Sequence, residues 1–433
     1  MPKRNKRYYK FLTPWAVCDI KRIMKILRGL IFILFFSVFI ALGQKASAQT
    51  PFERKIVVFK SGISSAGKSA FFLRHQLSSV RELRLVNGAA ISIPQSLLEK
   101  LVKDEAVLRI DPDVEIYATG WFPASTLARR LRPTPTPRPT AIPTPTPTPI
   151  SQTVPWGISQ ILADQANNVS SGSGIKVGVI DTGINRNHPD LKGNLAGCLN
   201  FISSFGTCED DNGHGTHVSG TIAAQNNNFG VVGVAPEAKI YALKVLNRKG
   251  SGYLSDIITA LDWAVTNHLQ VVNMSLGTSS DVISFHEAVK RVYDAGITQV
   301  AAAGNSSGAV IYPAAYSEVI AVSATDKNNN LASWSSRGPQ VDLATPGVDI
   351  YSTYLKGTYK TLSGTSMAAP HVTGTVVLLL SVSGKCDLDG NGICSPVEIQ
   401  QRLEATATDL GVVGKDSLFG AGLVNAFAAV TAP

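Results

Sequence analysis

KVGVID, residues 176–181, is an apolar run rich in β-branched residues that stops at an aspartate. Three more runs of this kind follow: KIYALKVL (239–246), VVNMSL (271–276) and TQVAAA (298–303). Helix-periodic stretches lie between them, such as DIITALDWAVTN (256–267) and DVISFHEAVKRVYDAG (281–296). A strand that is apolar along its whole length is covered on both faces, and helices alternating with such strands supply the covers. The pattern predicts an α/β fold with a mostly parallel sheet and helices on both faces. In such sheets chemistry gathers at strand ends and at the turns into helices.

The rest of the 433-residue chain divides by composition. Its net charge of +9 is located mainly at the N-terminus, where residues 1–48 carry ten Lys/Arg and one Asp. From 152 onward, 16 basic residues face 22 acidic ones, which excludes the electrostatic footprint of a nucleic-acid binder. Residues 1–48 read as an export signal: a basic stretch to Arg28, an apolar run over 30–42, and the small residues Ala46-Ser47-Ala48 as a cleavage site. Met24 offers an alternative start, and an uncleaved membrane anchor is the alternative outcome. Residues 49–120 alternate short strand and helix patterns and read as a small α+β module. KIVVFK (55–60), GAAISI (88–93) and AVLRIDPDVEIYA (106–118) are its strand-like parts, and a helix follows Pro94. Residues 121–151, with PTPTPRPTAIPTPTPTP at 133–149, form a spacer that builds no core. Export removes Cys18 and leaves four cysteines in an oxidising compartment; proximity favours the pairs Cys198–Cys208 and Cys386–Cys394.

Three stretches sit where an α/β sheet does chemistry. Asp181 closes the first strand. In DNGHGTHVSGT (211–221), His214 opens a helix. In GTSMAAPHVTG (364–374), Ser366 opens another. An Asp, a His and a Ser are what nucleophilic acyl transfer requires: a base for the hydroxyl proton, and a carboxylate that orients the base. Asn305, in AAAGNSSG (301–308), offers a donor for an oxyanion, with the Ser366 N–H as a second. The order Asp…His…Ser, with G-T-S-M-A around the serine, differs from the Ser…Asp…His order and G-x-S-x-G elbow of α/β-hydrolases.

VIDTGI, HGTHVSGT, AAAGN and GTSMAAPHVTG resemble the four signature blocks of the subtilisin-like serine proteases, over roughly 152–433. The resemblance implies a serine endopeptidase with Asp181, His214 and Ser366 as its triad and Asn305 at the oxyanion hole. It also implies that His217, one turn beyond His214, packs and does not react; a zinc pair lacks further ligands. KIVVFK, LVNGAAISI and DEAVLRIDPDVEIYA likewise resemble the ferredoxin-like propeptide of this family, which implies that module 49–120 acts as an intramolecular inhibitor. Maturation is expected near 119, near 151, or at both. By the same resemblance, Gly250-Ser251-Gly252 and Ser275-Leu276-Gly277 flank an extended peptide substrate, Leu254 and Leu276 line an apolar pocket, and Ile311 floors the primary pocket, which favours small or medium apolar side chains.

Two Ca²⁺ sites are expected. The first rests on resemblance: side chains of Gln152, Asp190 and Asn227 with carbonyls of Gln225, Phe229 and Val231, closing fully once the chain before Gln152 moves freely. The second is read directly. CDLDGNGICSPVE carries the D-x-D-x-N-G-x₅-E loop, with Asp387, Asp389, Asn391, the Ile393 carbonyl and Glu398 as oxygen ligands across 387–398. The expectation is a secreted, calcium-stabilised pre-pro-enzyme acting on protein or peptide substrates. The rivals are a non-catalytic cell-surface binding protein that uses the same fold, and an esterase using the same triad.

Overall fold

Seven strands make the central sheet of the computed structural model, which describes residues 52–77, 80–119, 151–203, 206–382 and 384–433. The strands are β6 (Lys176–Asp181), β7 (Leu195–Asn200), β8 (Lys239–Lys244), β10 (Val271–Met274), β12 (Thr298–Ala302), β13 (Ile320–Thr325) and β14 (Leu343–Pro346), in the order β14-β13-β12-β10-β6-β8-β7. Every neighbouring pair is parallel. Strand alternation sends side chains to two separate cores. Val177, Val179, Val271, Val300 and Ala302 face one; Ile180, Val272 and Ala301 face the other. The first core is closed by α5 (His214–Ala223), α8 (Thr365–Leu380), α9 (Pro396–Thr406) and α10 (Ala426–Thr431), with the short helices α3 (Trp156–Gln160) and α4 (Ala163–Ala166). The second is closed by α6 (Leu254–Thr266) and α7 (Ile283–Asp294). Asp181 shares the parity of Val177 and Val179. It therefore belongs to the face that carries α5 and α8, whose first residues include His214 and Ser366.

Residues 52–112 form a β-α-β-β-α-β unit: β1 (Phe52–Phe59), α1 (Ser65–Arg74), β2 (Val80–Leu83), β3 (Gly88–Pro94), α2 (Gln95–Val102) and β4 (Val107–Pro112). Its antiparallel sheet has the order β2-β3-β1-β4, the ferredoxin-like arrangement. Val57 and Phe59 point into its own core with Phe71 and Leu101. Ile56 and Val58 point the other way and join the core of α6 and α7. One face of this sheet is thus apolar and covered by the main fold.

AVLRIDPDVEIYA does not form one strand. It breaks at Asp113-Val114, and β5 (Glu115–Ala118) leaves the unit as the middle strand of a second sheet, between β9 (Ser251–Tyr253) and β11 (Leu276–Gly277). The break has a physical cause: the Asp113 carboxylate accepts from Ser255 N and Ser255 Oγ at the start of α6, each at 2.9 Å. Asp111 does the same for Ser284 at the start of α7. Both carboxylates meet unsatisfied helix N–H groups and the positive end of a helix dipole. Arg54, Arg81, Arg84 and Arg109 add ion pairs, of which Arg81, Arg84 and Arg109 reach Asp256, Asp262 and Glu287 on those helices.

The export signal at 1–48 and the spacer to residue 150 lie outside the described residues. No helix among the described residues is long and apolar enough to cross a membrane.

Candidate functional site

β6 delivers Asp181 fully buried beneath the first turn of α5. Its Oδ1 and Oδ2 lie 2.8 and 2.9 Å from His214 Nδ1, and Thr182 N donates to Oδ1 at 2.6 Å. Asp210 sets the position of α5: its carboxylate takes five donors, from Asn212 N, Gly213 N, Thr216 N and the hydroxyls of Thr182 and Thr216. Thr182 Oγ1 in turn accepts from Gly215 N. Gly213, at φ 105°, makes the left-handed turn into the helix that a Cβ would oppose.

Burial alone would lower the His214 pKa. The Asp181 charge and hydrogen bond, helped by Asp210, outweigh it and leave His214 above the ordinary imidazole value. His217 behaves oppositely. It is buried, Nε2 lies 2.9 and 3.0 Å from the carbonyls of Ile350 and Lys360, and burial pulls its pKa down to about 3. It is a neutral packing residue that ties β15 (Ile350–Thr353) to β16 (Tyr359–Leu362).

Ser366 is the second residue of α8 and is fully buried. Pro370 has no N–H for the Ser366 carbonyl four residues back, and Ser275 Oγ supplies the missing donor at 2.9 Å. Asn305 follows β12. Its Oδ1 accepts from Thr365 N at 2.9 Å and from Thr365 Oγ1 at 2.8 Å, so the NH₂ end of the amide is the one free to donate.

The groove between β9 and β11 is filled by β5. Tyr117 pairs with Ser251 and Gly277, Ile116 with Gly252, and Ala118 with Leu276. Ala118 N donates to Gly250 O at 2.9 Å and Thr119 N to Ser275 O at 3.1 Å. Ile116 is buried in one cluster with Leu254 and Leu276. The Thr119 carbonyl accepts from Ser366 N at 3.2 Å. Ser366 Oγ is turned onto this tail: it bonds Thr119 O, lies 2.7 Å from Thr119 Oγ1 and 3.0 Å from Ser275 O. His214 Nε2 is buried with no hydrogen-bond partner, so the serine and the histidine are not bonded to each other while Ser366 Oγ is turned onto the tail. Ile311 packs against Gly277 and Gly304; a Cβ on Gly277 would lie 2.5 Å from Ile311 Cδ1.

The residues expected at the first calcium site also converge. Asp190 accepts from Val231 N and Tyr359 OH, each at 2.9 Å, and from Asn227 Nδ2 at 3.3 Å. Gln152 Nε2 donates to the carbonyls of Gln225 at 2.7 Å and Val231 at 3.2 Å, and Ser151 pairs with Phe229. This donor set suits Ca²⁺, provided that the Gln152 amide turns its oxygen toward those carbonyls. Gln152 lies against these carbonyls through its Nε2 while Thr119 lies at Ser366.

At the second site, carboxylate oxygens of Asp387, Asp389 and Glu398 lie within 4.8 Å of one another. Gly392 N donates to Asp387 Oδ2 at 2.9 Å, while Asp387 Oδ1 is buried without a partner. Asn391 Oδ1 accepts from Ile393 N at 2.7 Å. Glu398 has a second duty as the capping-box residue of α9. Its oxygens take Ser395 N, Ser395 Oγ, Leu388 N and Asp389 N, which hold its pKa below the ordinary value. The oxygen donors fit a hard cation, and Glu398 would have to release some of these N–H and O–H groups to serve as a ligand. Disulfides link Cys386 with Cys394 across this loop and Cys198 with Cys208 at the edge of the sheet.

The geometry coincides with clear relatedness. The profile of the Subtilase family matches residues 172–422. A thermostable alkaline protease of Halalkalibacterium halodurans is 49% identical over 279 residues, covering 64% of this chain and 73% of that relative. Subtilisin Savinase of Lederbergia lenta is 48% identical over 281 residues, covering 64% of this chain and 99% of that protein. The minor extracellular protease Epr of Bacillus subtilis is 37% identical over 396 residues, covering 90% of this chain and 56% of Epr. With a parallel sheet that presents an Asp–His pair, a helix-start serine and a groove filled by an extended strand, the chain belongs to the subtilase family and is a subtilisin-like serine endopeptidase.

Proposed function

We propose that the chain is an exported, calcium-stabilised pre-pro-endopeptidase in which Ser366, His214, Asp181 and Asn305 carry out the chemistry. Ser366 Oγ attacks the peptide carbonyl carbon while His214 Nε2 takes its proton. His214 then gives that proton to the departing amine, and a water repeats the sequence on the acyl-enzyme. Asp181 keeps the Nδ1 proton in place and stabilises the imidazolium. The Ser366 N–H and the Asn305 NH₂ meet the oxyanion. The observation that supports this best is Thr119: a backbone carbonyl rests on Ser366 N at the end of a strand paired on both sides.

The same observation supports module 49–120 as an intramolecular inhibitor whose tail occupies the acyl side of the cleft, with cleavage after Thr119. The match to Epr covers more of the chain than residues 152–433 alone, so it extends into this module. Its extracellular description, with the signal-like N-terminus, supports export. Labelling with an active-site fluorophosphonate and a casein digest test the enzyme reading together. A well-folded product that takes no label and leaves casein intact would overturn it.

Asn305→Ala is expected to lower kcat about 10²–10³-fold with little change in KM, because its NH₂ meets charge that exists only in the transition state; the size is that of the equivalent change in subtilisin itself. A loss of less than threefold removes Asn305 from the oxyanion hole. Primary-pocket preference follows Ile311 and Thr119: peptide-library profiling is expected to favour small or medium apolar residues, and strong cleavage after Arg or Trp refutes it.

Calcium, when bound, supplies positive charge that ties the 225–231 loop to Asp190 and Gln152, and Asp387 to Asp389, Asn391, the Ile393 carbonyl and Glu398. With Ca²⁺ at about 100 times its Kd, each site adds about 2.7 kcal/mol, and chelation lowers Tm by roughly 4–5 °C per site. Asp190→Ala and Asp387→Ala should each abolish one share of that shift. A Tm indifferent to chelator excludes both sites.

A further inference from the structure

A cavity of about 190 Å³ opens beside His214, and neither Ala118 nor Thr119 lines it. Met367, next to Ser366, bounds it, as do Asn212, Arg248, Tyr354 and Lys360. Asn212 and the bound tail flank the same glycine: a Cβ on Gly250 would lie 3.6 Å from both Ala118 Cβ and Asn212 Nδ2. With His214 and Met367 on its wall, the cavity adjoins the residues expected to act on the reacting carbonyl.

An extended peptide sends alternate side chains to opposite faces. In a substrate held as the tail is, the residues before and after the one at Ser366 share one face, and Ala118 and Asn212 both flank Gly250 on that side. Ala118, the tail residue on that face, carries only a methyl group and does not line the cavity. The cavity's charge is specific. Arg248 has no ion-pair partner among the described residues. Lys360 Nζ rests 4.6 Å over the Tyr354 ring and 3.4 Å from its hydroxyl, with no carboxylate partner among the described residues. The carboxylate at the rim, Asp211, is paired with Lys244 at 2.7 Å. Two uncompensated cations thus face the cleft of a segment that is acidic overall. A concave, partly apolar wall focuses such a field.

We propose that this cavity is a charge-selective subsite. It favours polypeptides that carry Asp or Glu immediately before or immediately after the residue whose carbonyl Ser366 attacks. The proposal rests on the peptidase reading above. The test uses the mature secreted enzyme and three matched peptides for each of the two positions, carrying Glu, Gln or Lys. The expected result is kcat/KM about fivefold higher for Glu than for Gln in at least one series at low salt, with Lys lowest, and the preference shrinking toward unity at 1 M salt. Arg248→Gln combined with Lys360→Gln should erase the Glu/Gln ratio, with the Gln peptide as internal reference and fluorophosphonate labelling as proof of a folded site. Glu no better than Gln in both series, or a preference that survives the double variant, overturns the subsite while leaving the peptidase reading intact. Failure to cleave any of the peptides, or casein, overturns the peptidase reading itself.

Discussion

Ser366→Ala is expected to lower kcat on a peptide substrate about 10⁶-fold, a size taken from removal of the nucleophile in subtilisin itself. The substitution deletes the one atom that forms a bond to the substrate carbon. Ser366 N, Asn305 and the β5-type pairing to β9 and β11 remain, so KM should change far less than kcat. The same change should leave the chain uncut between Thr119 and Gly120 if, as proposed, the carbonyl that accepts from Ser366 N belongs to the enzyme's own first substrate. N-terminal sequencing separates the cases. Active wild-type product should begin at Gly120, whereas the variant should keep its module. Cutting does not by itself free the tail, since the Asp111 and Asp113 helix caps and the arginine ion pairs still hold the module to α6 and α7. A variant that retains more than about one thousandth of the wild-type rate, or an active enzyme with the 119–120 bond intact, would refute the assignment.

The sheet was legible because its signal is local. KVGVID and TQVAAA carry their burial in their own composition, and β6 and β12 appear within a residue of the expected bounds. VVNMSL was misread as one strand for the opposite reason. β10 ends at Met274, and Leu276 joins a different sheet because Ser275 turns its carbonyl to Thr119 and its hydroxyl to the Ser366 carbonyl. Those partners lie far along the chain, where periodicity carries no information. Asp210, Thr182 and Thr365 went unrecognised on the same account: each holds a neighbour of the triad or Asn305 through a hydrogen bond that spans 28 to 61 residues. A carboxylate just ahead of a helix-opening Gly-His was the available clue to Asp210, as an acceptor for the first N–H groups of a helix. The EF-hand-like loop stood out in sequence, yet the commitment of Glu398 to the α9 cap did not, because one residue satisfies both patterns at once.

Asp181→Asn tests the electrostatic half of the site. The amide has the carboxylate's shape but can turn its NH₂ toward His214 Nδ1, which drives the proton to Nε2 and leaves no base facing Ser366. The expected loss in kcat is about 10⁴-fold, as in triads of this type. The pH profile gives a second, independent readout. Hydrolysis needs neutral His214, so the wild-type rate falls as pH drops through a pKa held above 6.5 by Asp181 against burial. Without that charge, burial is opposed only by the smaller contribution of Asp210, so the residual activity should persist to lower pH: the acid limb moves down while the plateau collapses. A purely structural role for Asp181 would lower the plateau and leave the midpoint where it was. Measurement of kcat/KM from pH 5 to 10 on both proteins distinguishes the two, and an unshifted midpoint removes Asp181 from the account of how His214 is tuned.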